Sequence, residues 1–353
     1  MSKSNPTLSS IIPSLLSWYP ARRRALPWRT DPTPYHVWLS EIMLQQTRIE
    51  AVIPYYHRFL EAFPDVASLA NADDDRLMKL WEGLGYYSRA RNLKKAAEAI
   101  VRDHGGTLPK TADALRKLAG IGDYTAGAIA SIAFGEPEPA VDGNVLRVIT
   151  RVLACDDDIT LGSTKKAITE ALRTVYPSGK DASDLTQALM ELGEEICIPN
   201  GRAKCELCPI REHCRAHAEG TVERFPVKAP KKPRRQEKLT VLLLSCRGKY
   251  AIRKRPRTGL LSALWEYPNA SGWMDETTVA ALLRENGIET VSVVPIGEAV
   301  HIFTHVEWHM HGYAAECTAE HPDLVWRTPA EILSDYAIPT AFRAYTARLK
   351  EEF

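Results

Sequence analysis

Apolar residues recur at three- and four-residue spacing through most of the first 220 positions, the period of helices that bury one face. Residues 35–47, 87–104, 125–134 and 185–197 follow it, with Gly-Gly and Pro interruptions between them. There is no repeat of fixed period. From 222 to 238 the chain reads VERFPVKAPKKPRRQEK, rich in proline and cation and poor in apolar residues, the composition of a linker. Beyond it the period changes. LTVLLLS predicts a buried strand, and residues 305–311 alternate polar with apolar side chains. Helical spacing at 276–286 and 339–349 makes this second part α+β.

The length of 353 residues allows two or three domains with their own cores. With 45% hydrophobic and 25% charged residues, a globular protein is expected, and no window resembles a membrane span. The N-terminus has short apolar runs broken by Pro13 and lacks a signal-peptide pattern, so a cytoplasmic protein is expected. A net charge of +1 does not mark a nucleic-acid binder; contacts to a polyanion would need local patches such as Arg22 to Arg24 or the run 228–238. Either patch reads equally well as a solvated face or linker. Four of the seven cysteines are bunched, which points to a metal site in a reducing compartment rather than a disulfide scaffold.

Three constellations carry chemistry. In the first, Gly120 and Gly122 form a tight turn ahead of a helix starting near Asp123, and bare N–H groups at such a turn hold an anion, a phosphate above all. Asp142 follows within about twenty residues at the start of another amphipathic run, where it is equally an N-cap. In the second, Glu41 lies beside an apolar stripe, with Val37, Trp38 and Leu44 at helical spacing and no Lys or Arg. Burial there would raise its pKa and leave it able to donate a proton near neutrality; spacing alone favours a solvent-facing Glu. In the third, Cys197, Cys205, Cys208 and Cys214 are spaced C-x7-C-x2-C-x5-C, which suits a tetrahedral zinc or a cubane iron–sulfur cluster alike. Cys155, Cys246 and Cys317 have no comparable grouping.

These stretches resemble one family. The string LAGIGDYTAGAIASIAFGEPEPAVDGNVLR resembles the helix-hairpin-helix and catalytic-Asp segment of the endonuclease III superfamily, and LSEIMLQQT and GLGYYSRARNL match its MutY-type adenine DNA glycosylases. The resemblance implies a mainly α N-terminal glycosylase region, built of two helical subdomains, and an α+β MutT-like C-terminal domain. Residues 1–221 would form the glycosylase region, with the hairpin subdomain at about 30–135 and an iron–sulfur subdomain of 1–29 with 136–221. Residues 222–238 would be the linker and 239–353 the lesion-recognition domain.

For the site, the resemblance makes Glu41 the acid that protonates adenine and Asp142 the carboxylate facing the sugar of an extruded nucleotide. Asp142 is expected to stay ionised at its helix N-terminus. Tyr124 occupies the place of the lysine that strand-cutting relatives use for a Schiff base, so a monofunctional enzyme is expected, with Tyr124 assisting near Asp142. Gly120 and Gly122 would grip backbone phosphate, and Tyr86 and Gln46 would be wedges that replace lost stacking. Arg24, Trp28 and Gln187 would line the adenine pocket; by pattern alone Trp28 and Tyr86 could be core aromatics. The family favours a 4Fe-4S cluster on the four cysteines, although its first gap usually has six residues and this one has seven. Phe303, Thr304 and His305 stand where the family probes 8-oxoguanine with Phe-Ser-His. The Glu cluster of nucleotide hydrolases is reduced to a remnant in LLRENGI, so a second hydrolase activity is not expected.

The function implied is excision of adenine mispaired with 8-oxoguanine, and with guanine, from double-stranded DNA, by a monomer. Two rivals remain: an endonuclease III-like glycosylase for damaged pyrimidines, which Tyr124 and the C-terminal domain argue against, and a non-catalytic iron–sulfur DNA-binding protein, which Glu41 and Asp142 argue against.

Overall fold

The computed structural model describes residues 6–230 and 233–350; Lys231 and Lys232 of the basic run lie outside the described residues. The chain divides into two compact units, one of residues 1–71 with 91–230 and the other of 72–90 with 231–353. No helix among the described residues is long and apolar enough to cross a membrane.

The first unit is helical. Its N-terminal helix, Pro6–Arg22, buries Leu8, Ile11, Leu15 and Tyr19 against Val145, Ile149 and Val152 of the helix Gly143–Leu153 and against Leu185, Leu189 and Leu192 of Lys180–Glu195. The i, i+3, i+4 spacing on all three helices makes this one core. A second layer forms where Pro34–Leu44 packs on Asp123–Phe134. Thr33 starts the former by accepting a hydrogen bond from the His36 amide, with Pro34 in the first turn. Eight of its eleven residues are buried, Glu41 among them, so this helix is enclosed nearly all round rather than along one stripe.

The second unit is built on a mixed sheet. Its strands are β1 (Arg235–Cys246), β2 (Lys249–Lys254), β3 (Trp265–Glu266), β4 (Asn269–Ser271), β5 (Thr290–Ile302), β6 (Val306–Cys317) and β7 (Val325–Arg327). The order is β3-β2-β1-β6-β5, with β4 on β1 and β7 on β2. β1 and β6 run parallel, with Arg235 level with Val306, and the other pairs are antiparallel. One face holds Val241, Met310 and Trp308 against Phe342 and Tyr345; the other holds Leu242, Leu244 and Tyr313 against Val279 and Leu283 of the helix Glu276–Glu285. β1 starts three residues before the end of the proline- and cation-rich stretch, because pairing with β6 supplies the hydrogen bonds that a lone polar segment lacks.

Residues 72–90 join this unit through polar contacts: the Lys79 ammonium donates to the Tyr336 carbonyl (3.1 Å), the Glu82 carboxylate accepts from the Ile338 amide (2.9 Å), and Lys254 pairs with Asp75 (2.7 Å).

Candidate active site

The first unit brings Arg24, Trp28, Glu41, Gln46, Tyr124, Asp142 and Gln187 to the wall of one open pocket, joined there by Arg29, Asn144 and Glu191. Glu41 is 5% exposed. Burial pushes its carboxyl up to about 7, against the pull of a hydrogen bond from Tyr124, while Asp142 adds to the rise and Arg29 opposes it. The Tyr124 hydroxyl donates to Glu41 Oε2 at 2.7 Å and stands near enough to Asp142 to feel its charge. The reason is positional: Tyr124 is the second residue of Asp123–Phe134, the helix that packs on Pro34–Leu44.

Asp142 caps the helix Gly143–Leu153. Its Oδ1 accepts from the Val145 amide (2.8 Å) and its Oδ2 from the Asn144 side chain (3.1 Å). Burial is the largest influence on its carboxyl and raises its pKa, while the Val145 and Asn144 amides at the helix N-terminus and Arg147 pull the other way.

Of the pocket residues that the sequence reading passed over, Glu191 is the most heavily engaged. Its side chain is fully buried and takes hydrogen bonds from Arg24 Nε (2.7 Å) and Arg29 Nη2 (2.8 Å) and from the Arg24 amide (3.2 Å). Burial pushes this carboxyl up, but the two guanidiniums outweigh it and the net pKa falls. A signal was present: the residues three and four positions from Glu191 are Gln187, Ala188, Glu194 and Glu195, so its own helix offers no Lys or Arg to pair a buried carboxylate. Trp28 is buried and meets Tyr56 edge-on at 5.4 Å, and Gln187 turns its amide back to Ser183 Oγ (3.2 Å).

The hairpin consists of the turn Ala112–Leu115, capped by Thr111, and the helix Asp123–Phe134. Gly120 takes φ +76, and a Cβ there would lie 2.7 Å from Asn92 Cβ, so two demands call for glycine, a positive φ and a close approach. They do not hold for Gly122, which has φ −93 at the helix N-cap and open space where a Cβ would stand. Gly127, unremarked in the sequence, has a stricter role: a Cβ would meet the Pro139 carbonyl at 2.4 Å. Its bareness lets the segment leading to Asp142 lie directly on the hairpin helix.

Cys197, Cys205, Cys208 and Cys214 line one small cavity of the first unit. Burial raises the thiols of Cys205, Cys208 (to about 12) and Cys214, so four thiolates would need a cationic centre to stand together. Arg151 Nη1 donates to Cys197 Sγ (3.2 Å), and the Cys214 thiol to the Arg151 carbonyl (3.4 Å). The seven-residue gap is closed by the Lys204 amide on the Ile196 carbonyl (3.0 Å), with Gly201 at φ +79. Among the described residues no three His, Cys, Asp or Glu side chains are grouped as ligands of a single metal ion. A four-sulfur donor set around a cavity still fits a sulfur-ligated group.

In the second unit, Phe303, Thr304 and His305 form the turn between β5 and β6. Phe303 is half-buried and meets Trp308 (4.9 Å) and His301 (4.5 Å) edge-on, while Thr304 and His305 are exposed. Tyr86 belongs to the same unit; it is 45% exposed, and its hydroxyl lies 3.0 Å from Thr304 Oγ1. Gln46 and Tyr86 both take positive φ, +57 and +47, unusual for residues other than glycine.

A helical region with a helix-hairpin-helix and two carboxylates on one pocket is the architecture of the base-excision DNA glycosylases, and residues 39–177 match the HhH-GPD superfamily base excision DNA repair protein family. Residues 240–348 match the NUDIX domain family. The human adenine DNA glycosylase is 34% identical over 94% of this chain and 73% of its own length. That of Buchnera aphidicola (subsp. Acyrthosiphon pisum, strain APS) is 30% identical over 88% of this chain and 90% of its own. The chain belongs to the adenine DNA glycosylase family. A solved thermostable thymine-DNA glycosylase covers 60% of this chain and 97% of its own, at 29% identity and a TM-score of 0.54.

Proposed function

We propose that this enzyme removes adenine mispaired with 8-oxoguanine, and with guanine, from duplex DNA, by acid-assisted hydrolysis that leaves the backbone intact. One observation carries the reading: a buried Glu41, its pKa near 7, faces the same pocket as Asp142. A carboxylic acid still protonated at neutral pH can hand its proton to the purine ring, so that the C1′–N9 electron pair leaves with a neutral base. Asp142 stabilises the cationic sugar, as in glycoside hydrolysis, and water completes the reaction. Arg24, Trp28, Gln187 and the Arg-clamped Glu191 hold the base. Gly120 and Gly122 present backbone amides to phosphate, and the open space before Gly122 leaves room for it. Gln46 and Tyr86 fill the stack the base has left, and Phe303, Thr304 and His305 meet the base opposite.

Tyr124 has no amine, so no Schiff base forms there and the strand stays uncut. Cys197, Cys205, Cys208 and Cys214 would hold a 4Fe-4S cluster, which when bound would cross-link the 197–214 loop through their four thiolates. We read the enzyme as a cytoplasmic monomer.

The test is an incision assay on duplexes carrying A opposite 8-oxoguanine, A opposite G, and an oxidised pyrimidine, each with and without alkali and with borohydride. Alkali-dependent breaks at both adenines, without a trapped adduct, are expected. Breaks only at the pyrimidine, or efficient trapping, would overturn the reading.

A further inference from the structure

Asn144 stands between two carboxylates. Its side-chain Nδ2 donates to Asp142 Oδ2 (3.1 Å) and to Glu194 Oε1 (3.1 Å), so the two hydrogens of one amide are shared between them. The sense of the amide is fixed, because its Oδ1 accepts from Arg147 Nη2 (2.8 Å), which also donates to the Gly193 carbonyl (2.8 Å). The helix Lys180–Glu195 comes this close because residue 193 is glycine: a Cβ there would lie 2.7 Å from Asn144 Cβ. Glu194, the next residue, is thereby delivered to the wall of the pocket that holds Asp142. Among the described residues it has no ion-pair partner, since Arg24 pairs with Glu191 and Glu195, and Arg147 bonds to Asn144 and to backbone carbonyls.

We propose that Glu194 is a positioning residue for Asp142, acting through the Asn144 amide that bonds to both. This rests on the reading that Asp142 faces the sugar. Asp142 is tethered at two points, Oδ1 by the Val145 amide (2.8 Å) and Oδ2 by Asn144. The first tether belongs to the helix backbone and is rigid. The second hangs on a side chain, whose aim depends on what takes its other hydrogen. Without Glu194 the Asn144 amide is anchored only at Oδ1 and pivots there, and the Asp142 carboxylate turns with it, away from the direction in which a cationic sugar forms. The charge of Glu194 acts on the same group. The charged and ionisable neighbours of Asp142 are Glu41 on Pro34–Leu44, Tyr124 on Asp123–Phe134, Arg147 on its own helix and Glu194 on Lys180–Glu195. Glu194 pushes the Asp142 pKa up and Arg147 draws it down, so removing the Glu194 charge lets Asp142 stay ionised to lower pH. Glu194 is exposed in the free protein, and both effects grow when DNA covers the pocket and excludes water.

The experiment measures the pH dependence of single-turnover adenine removal by the full-length protein, with enzyme saturating over a duplex carrying A opposite 8-oxoguanine. Glu194→Ala should lower the plateau rate about tenfold, and Glu194→Gln, which keeps an acceptor for Asn144 without the charge, should recover most of it. In both, the acid limb, where Asp142 takes up its proton, should lie at lower pH than in wild type. Loss of packing alone would depress the plateau and leave the limb in place. In an Asn144→Ala background, Glu194→Ala should lower the plateau no further. A wild-type plateau in Glu194→Ala, an unmoved acid limb in Glu194→Gln, or losses that add in the double variant would each overturn the proposal. If Asp142→Asn keeps the wild-type rate, the reading of Asp142 falls instead.

Discussion

The phenol of Tyr124 donates to Glu41 Oε2 at 2.7 Å, and this bond favours the ionised carboxylate, working against burial. Tyr124→Phe should therefore let Glu41 keep its proton to higher pH. In wild type the acid form is lost as pH rises through about 7, so single-turnover adenine removal should decline there. In Tyr124→Phe that alkaline limb should move upward, whatever happens to the maximal rate. An unmoved or lowered limb in the rate–pH profile would show that the phenol does not tune Glu41.

Glu41→Gln should abolish base removal yet stabilise the fold above neutrality. The folded pKa of about 7 exceeds the ordinary 4.5, so the contribution of Glu41 is fully present below pH 4.5 and is lost as pH rises through 7. The glutamine has no charge to bury. Urea denaturation at pH 4.5 and pH 8.5 should show a gain for Glu41→Gln only at the higher pH, of about 3 kcal/mol at most.

Glu191→Ala should behave in the opposite way. Removing the carboxylate leaves Arg24 and Arg29 without their shared counter-charge in the pocket wall, a loss of about 3 kcal/mol in unfolding free energy. Adenine removal should fall with it, and Glu191→Gln should recover part of the stability through its remaining acceptor. Stability equal to wild type in a chemical-denaturation curve of Glu191→Ala would contradict this.

How far the molecule could be read beforehand follows from the range of its interactions. The change of period near residue 238, the hairpin and the acid on an apolar helix are written in spacings of a few residues, and local patterning shows them. Glu191 became a clamped carboxylate only because Arg24 and Arg29 arrive from more than 160 residues away. Tyr86 and Thr304 are 218 residues apart. Gly127 resembled any helical small residue until the Pro139 carbonyl was seen against it. Such requirements arise from packing, and single-chain periodicity does not record them.

Gly127→Ala tests the last of these. An added methyl would have to displace the Pro139 carbonyl, and with it the segment that delivers Asp142. A shift approaching 1 Å at a reacting group can cost about 100-fold. Single-turnover rates should drop on that scale although the variant adds only a good helix-former, and a rate within a few-fold of wild type would show that the segment adapts.

The iron content offers a chemical check. Purified protein should be brown, with about four iron and four sulfide per chain. Cys205→Ala should bleach it and loosen the 197–214 loop to proteolysis. A colourless, active protein with one zinc would contradict the cluster.

The left-handed backbone at Gln46 and Tyr86 matters for anyone seeking a hardier version of this enzyme. A side chain in that conformation costs about 1 kcal/mol that glycine would not incur. Selection for heat tolerance alone would thus favour erasing the two side chains assigned to fill the gap in the helix. Screens for a robust repair catalyst would need a mispair in the assay, or they would enrich proteins that endure and no longer find their substrate.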